Sequence, residues 1–252
     1  MHWDYILILA LLAVVVPWRS LGRIQELLAG PELTSSQRIL LYVSTIAFQW
    51  ATVGIILWRC LAHDLSLAVL GVALPHPIRS LAAAAGLSVI LVFNQVYAIR
   101  RVAGLPRESR GIVPELAEKL LPRASSEAWI GLLLVLTVAL CEEFIYRGFV
   151  EAVFAAFFSG SALAGALISA AFFSSAHIYQ GRKGLITTFA VGLIFSAARI
   201  WTGSLLPSII IHFAVDLSIA LAALKFLLLR RDSIALYIFH FLGGRCVRRG
   251  AN

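Results

Sequence analysis

The chain has 252 residues, 60% of them hydrophobic and only 13% charged, with a formal net charge of +8. Soluble domains run near ~45–50% apolar and ~25% charged, so this composition excludes an ordinary soluble protein. It also argues against nucleic-acid binding, because the basic residues gather in short connections and at the C-terminus, as cytoplasmic loops of membrane proteins do.

Continuous apolar runs, without the two-residue alternation of a membrane strand, predict an all-α polytopic transmembrane helical bundle. About seven spans are expected, within a range of six to eight. In chain order they are 5–18, 39–58, 80–99, 128–157, 162–179, 184–200 and 204–229. The first is short. Asp4 precedes it and Pro17-Trp18-Arg19 follow, so it is expected to be a retained span rather than a cleavable signal.

The fourth run is overlong. Its 30 residues would reach about 45 Å as a helix, beyond a ~30 Å hydrocarbon core. It is expected to tilt, to kink near Glu142 or to emerge from the membrane. The longest polar connection, 100–127, contains Pro106, Pro114 and Pro122 and marks an internal boundary. The chain thus divides into N-terminal spans with their connection (1–127), a helical core (128–229) and a basic tail (230–252). Within the tail, 234–242 is too short to span and reads as an interfacial helix held by aromatics and anionic lipid headgroups.

Charge asymmetry sets the expected orientation. Sixteen basic residues fall on one side: Arg19, Arg23, Arg38, Arg100, Arg101, Arg107, Arg110, Lys119, Arg123, Arg182, Lys183 and five arginines of the tail. Arg59, Arg79 and Arg199 fall on the other. The first side is then cytoplasmic, with the N-terminus outside and the C-terminus inside. Cys60, Cys141 and Cys246 are scattered and form no Cys-x-x-Cys pair, which gives neither a disulfide framework nor a zinc knuckle. Cys141 reads as a small hydrophobe and not as a thiol nucleophile.

The chemistry is concentrated in the second half. Glu142, Glu143 and Arg147 interrupt the fourth run, His177 lies in the fifth, and His212 and Asp216 lie in the last. An ionisable group at bilayer depth costs at least about 2.5–3.5 kcal/mol on insertion scales, so such groups mark functional sites by default. Glu143 and Arg147 are four residues apart and share a helix face, where they can pair. Glu142 points about 100° away and is left to face a cavity. His212 and Asp216 are also four apart. Glu151, one turn past Arg147, is expected near a helix end with its carboxylate snorkelling. A carboxylate and an imidazole around one water form a general-base pair able to attack a carbonyl, and the remaining polar groups could stabilise the oxyanion. Glu142, His177, His212 and Asp216 are therefore the catalytic candidates, with Glu143 and Arg147 in support.

The same residues carry a family resemblance. Glu142-Glu143-x-x-x-Arg147-Gly148, Phe173-x-x-x-His177 and His212-x-x-x-Asp216, in that order, resemble the three motifs of the CAAX-processing and bacteriocin-processing (CPBP, or Abi-type) glutamic intramembrane proteases. The resemblance spans roughly 128–220. It implies that Glu142 and His177 activate a water and that His212 and the residue at 216 line the oxyanion site, with no metal and no cofactor. Asp216 departs from the asparagine of the eukaryotic Ras-converting endopeptidases. An ionised aspartate cannot donate to an oxyanion, so either Asp216 is protonated by burial or it orients and charges His212, which then donates alone; the second is the expectation.

The expected partners are a membrane-associated polypeptide substrate and anionic lipid headgroups at the basic loops, not nucleic acid. Three other readings fit parts of the pattern. Glu, His and Asp could ligate zinc in a membrane metalloprotease, although His-Glu-x-x-His does not occur. Buried acids and histidines also suit a proton-coupled transporter, although no inverted repeat is visible. Finally, the motif could be architecture in a non-catalytic immunity or scaffold protein.

Overall fold

A computed structural model describes residues 2–228, and the 234–242 segment and the rest of the basic tail lie outside them. Among the described residues the fold is all-α. Eight helices follow in order: α1 (Trp3–Ala29), α2 (Ser35–Ala62), α3 (Pro77–Ala103), α4 (Val113–Leu120), α5 (Ser125–Phe157), α6 (Ala162–Ala176), α7 (Ile178–Thr202) and α8 (Leu206–Leu228). Six of them, all but α4 and α6, are long and apolar enough to cross a membrane, and α6 is a shorter apolar helix. The protein is a multi-pass integral membrane protein.

Local sequence sets the helix ends. Thr34 and Gln37 form a capping box at the start of α2. The Ser161 hydroxyl caps α6. Gly203 ends α7 in the left-handed conformation at φ 69°, and Pro207 sits in the first turn of α8, where its missing N–H costs nothing.

Two helices differ from expectation. α1 is not a short span ending at Trp18 but continues to Ala29. A π-helical segment, Leu11–Val15, precedes Pro17. Its wider turn lets the helix pass a residue that lacks an N–H and would otherwise break it. α6 stops at Ala176, three residues short of the expected end, because the His177 side chain turns back onto the Phe173 carbonyl, 2.8 Å from Nδ1. A 3₁₀ turn over Ile178–Gln180 then leads on.

α5 is the centre of the bundle. In its most apolar window 39% of residues are buried, against 17–28% in the other five long helices. It packs against α2, α6 and α8, while α8 also packs on α3 and α7. The outer faces carry large exposed apolar side chains such as Trp18, Ile78 and Phe93, suited to lipid. α5 extends over 33 residues, and directly after Glu143 it changes to a π-helical stretch, Phe144–Val150. Such bulges re-aim side chains and concentrate at functional sites.

Buried charge pairs tie the helices together. Arg38, which the sequence places among loop charges, is 1% exposed and bonds Glu127 at 2.9 Å. Asp4 pairs with Arg59 at 2.5 Å and with His63 at 2.8 Å. Glu151 does not snorkel. It is 1% exposed and pairs with Arg199 at 3.3 Å, because α5 runs on to Phe157 and keeps position 151 inside the bundle.

Candidate active site

Position 143 holds the most buried part of the site. Glu143 and Arg147 are both 0% exposed, and Arg147 Nη1 donates to Glu143 Oε1 at 2.9 Å. The same oxygen accepts from His212 Nδ1, also at 2.9 Å. A carboxylate only accepts, so Nδ1 of His212 carries the proton and the ring orientation is fixed. On the opposite edge of that ring, Nε2 lies 3.5 Å from Asp216 Oδ2. His212 is thus flanked by two carboxylates, one fully enclosed and one partly exposed.

Aromatic rings complete the enclosure. The Arg147 guanidinium lies over the Phe173 ring at 4.3 Å and near Phe195 at 5.1 Å. Phe173 touches both histidines, edge-on to His212 at 5.8 Å and tilted to His177 at 4.7 Å. Phe195 packs on His212 at 5.3 Å. A cation enclosed by ring faces and paired to a carboxylate is stabilised where water cannot reach it. Gly192 makes room for it: a Cβ there would lie 3.0 Å from Arg147 Nη2 and 3.2 Å from Ala170 Cα.

His177 is half-buried at the end of α6. Phe173's carbonyl is one of the last in that helix, without an intrahelical partner, and Nδ1 of His177 donates to it. That bond leaves Nε2 without a proton in the neutral ring, free to accept one. A 15-residue helix spans about 22 Å, short of a ~30 Å hydrocarbon core, so a helix that starts at one face ends below the other.

Glu142 is only partly buried. Its Oε1 accepts from Gln49 Nε2 on α2 at 3.1 Å, and its Oε2, like Oε2 of Glu143, is buried without a hydrogen-bond partner among the described residues. Glu142 lies within electrostatic reach of His212 and of Tyr179, and Asp216 within reach of His212 and His177. The structure thus gathers all six sequence-singled residues at one place. Direct bonds join Glu143, Arg147 and His212; none joins Glu142 to either imidazole among the described residues.

Sequence reasoning missed Gln49 and Phe195. Gln49 left a signal, a lone amide side chain in an apolar helix, which in membranes bonds across helices. Phe195 left none, being one apolar residue among many.

An apolar cavity of about 360 Å³ opens at Cys141 and Phe144, the residues that flank the two glutamates in sequence. Cys141 and Phe144 from α5, Trp50 and Val53 from α2, and Leu205 and Ile209 line it, with Gly71 and Leu74 from the segment between α2 and α3. That segment is clamped: Leu205 N–H donates to the Gly71 carbonyl at 2.8 Å, and Arg199 Nη2 to the Val69 carbonyl at 2.7 Å.

These features define a polytopic helical membrane protein with an acid–histidine cluster enclosed in its core. Residues 124–218 match the family model described as type II CAAX prenyl endopeptidase Rce1-like, which bears out the family resemblance drawn from the three motifs. An Escherichia coli protein described only as an uncharacterized 24.3 kDa protein is 32% identical over 124 residues. That alignment covers 48% of this chain and 55% of the relative, so the chain spans about half the length of the curated protein it matches. No solved structure matches the chain.

Proposed function

We propose that the protein is a metal-independent intramembrane endopeptidase that cuts a membrane-associated polypeptide with a water activated by Glu142 and His177. The observation that carries this reading is the division of labour between the adjacent glutamates. Glu143 is fully enclosed and holds both Arg147 and His212 on one oxygen, whereas Glu142 is only partly buried and is hydrogen-bonded, among the described residues, to the uncharged Gln49 amide; His177, in the same cluster, keeps Nε2 unprotonated in its neutral ring.

In the reaction, the water oxygen adds to the scissile carbonyl carbon and its proton passes to the Glu142–His177 pair. His212, held as an imidazolium between Glu143 at Nδ1 and Asp216 at Nε2, donates its Nε2–H toward the developing oxyanion. The tetrahedral adduct then collapses, the C–N bond breaks, and the stored proton goes to the leaving amine. Carboxylate and amine termini result.

The matching family description speaks of prenyl endopeptidases. A lipid-modified C-terminal peptide is accordingly the substrate class to try first, and the apolar cavity beside Cys141 and Phe144 supports it as a seat for a hydrocarbon group. A zinc site is disfavoured by the chemistry of the donors. Glu143 and His212 are bonded to each other, and a cation there would face the Arg147 guanidinium. The N-terminus is proposed to lie outside, with the basic connections and tail on the cytoplasmic side among anionic headgroups.

The test uses purified protein in lipid nanodiscs, offered prenylated and unmodified membrane peptides. Cleavage abolished by Glu142→Gln and by His177→Ala, and unaffected by o-phenanthroline, is the expected result. Full cleavage by a correctly inserted Glu142→Gln variant refutes the mechanism, and loss with phenanthroline restored by zinc favours the metalloprotease.

A further inference from the structure

The proposed chemistry resides in α5–α8, yet the group that touches Glu142 comes from α2. Gln49 Nε2 donates to Glu142 Oε1 at 3.1 Å across 93 residues of chain. Gln49 lies outside the stretch that matches the family model, which begins at residue 124. The other polar side chains within a turn of it are turned inward on their own helix: Thr45 donates to the Leu41 carbonyl at 2.8 Å and Thr52 to the Phe48 carbonyl at 2.9 Å. Gln49 alone of the three reaches across to α5.

We propose that Gln49 is a positioning residue for Glu142: its side-chain amide fixes one carboxylate oxygen and thereby reserves the other for the attacking water. The choice of residue type matters. Arg147 meets Glu143 with a full countercharge and forms a closed ion pair. An amide donates one hydrogen bond but brings no charge, so it restrains the carboxylate rotamer without competing for its proton affinity as a cation would. A free glutamate side chain has three rotatable bonds, and a misplacement of about 1 Å in a reacting group can cost on the order of 100-fold in rate. With Oε1 tethered, Oε2 is the atom left without a hydrogen-bond partner, the state a general base needs before it binds its water. α2 then completes the site and does not merely anchor it.

This inference rests on the peptidase reading, so its test has an arm that does not depend on catalysis. Gln49→Met keeps the length and volume of the side chain and removes the donor; Gln49→Glu keeps the shape and replaces the donor with an acceptor. In detergent or nanodiscs, the infrared carboxylate band of Glu142, isolated as the difference between wild type and Glu142→Gln, should move in Gln49→Met. In the cleavage assay Gln49→Met should lower kcat by about 10- to 100-fold with KM changed less than about twofold, and Gln49→Glu should be worse. Thermal unfolding should be little changed in Gln49→Met. An unmoved Glu142 band overturns the proposal whatever the enzyme does. Unchanged kcat, or parallel losses in kcat and stability, also overturns it by leaving a structural role only. A moved band in a protein whose wild type cleaves no peptide leaves Gln49's hold on Glu142 standing and sinks the peptidase reading instead.

Discussion

Replacing Arg147 by methionine separates the energetic parts of the buried cluster. Arg147 and Glu143 are both 0% exposed, so removal of the guanidinium strands a carboxylate where water cannot solvate it. Breaking a buried pair in this way costs about 3–5 kcal/mol. The desolvated contacts with Phe173 at 4.3 Å and Phe195 at 5.1 Å add up to about 2 kcal/mol. Part of the loss is returned by also removing the stranded charge. In Glu143→Leu/Arg147→Met the remaining defect is His212 Nδ1, which loses its acceptor at a cost of about 1–3 kcal/mol. The double variant should therefore be more stable than Arg147→Met alone, by about 2 kcal/mol at the centre of those ranges. Unfolding in mixed detergent–SDS micelles, followed by tryptophan fluorescence, measures both. An Arg147→Met loss below about 1 kcal/mol, or a double variant less stable than either single one, refutes the reasoning.

Three further outcomes are expected. Gly192→Ala places a methyl 3.0 Å from Arg147 Nη2 and 3.2 Å from the backbone of Ala170, so it should cost about 1–3 kcal/mol in the same unfolding assay and depress cleavage by shifting Arg147. Arg199→Leu strands Glu151, which is 1% exposed, and frees the Val69 carbonyl; a loss of about 3–5 kcal/mol should follow, while Arg199→Leu/Glu151→Leu should recover much of it. Asp216→Asn keeps side-chain size at a position 31% exposed and leaves the Glu143–His212 bond intact, so cleavage should persist; complete loss in folded protein would give Asp216 a direct part in the reaction.

Most of the architecture was legible because membrane solvation makes apolar length a strong signal. The four-residue spacings behaved as helix geometry requires: Glu143 reaches Arg147, and His212 faces Asp216. What stayed hidden depends on how helices meet. Nothing in the sequence relates position 143 to position 212, or 142 to 49, because those contacts are set by the packing of α5 on α8 and α2. Glu151 was misplaced for a related reason. Its environment depends on Arg199 arriving from α7 to meet it inside the bundle. The length of α1 turned on an upstream π segment that accommodates Pro17, which propensity alone does not foresee.

In the proposed mechanism the two neighbouring glutamates divide the work of a double carboxylate in a membrane. One carboxylate near the reaction centre would serve as a base, and it must not be quenched by the countercharge that buried acids usually require. Placing a second carboxylate one residue away resolves the conflict. Glu143 takes the countercharge of Arg147 and fixes the histidine, and the π-helical stretch that begins at Phe144 follows directly on the pair. Glu142, rotated by about 100°, is hydrogen-bonded among the described residues to a neutral amide from α2. On the proposed mechanism the cluster's stability is drawn mainly from the Glu143–Arg147 pair, which leaves the proposed base free of a countercharge. On this view Glu142→Gln should abolish cleavage at little cost in stability, whereas Glu143→Gln should cost both, and a Glu142→Gln variant as unstable as Glu143→Gln would contradict it.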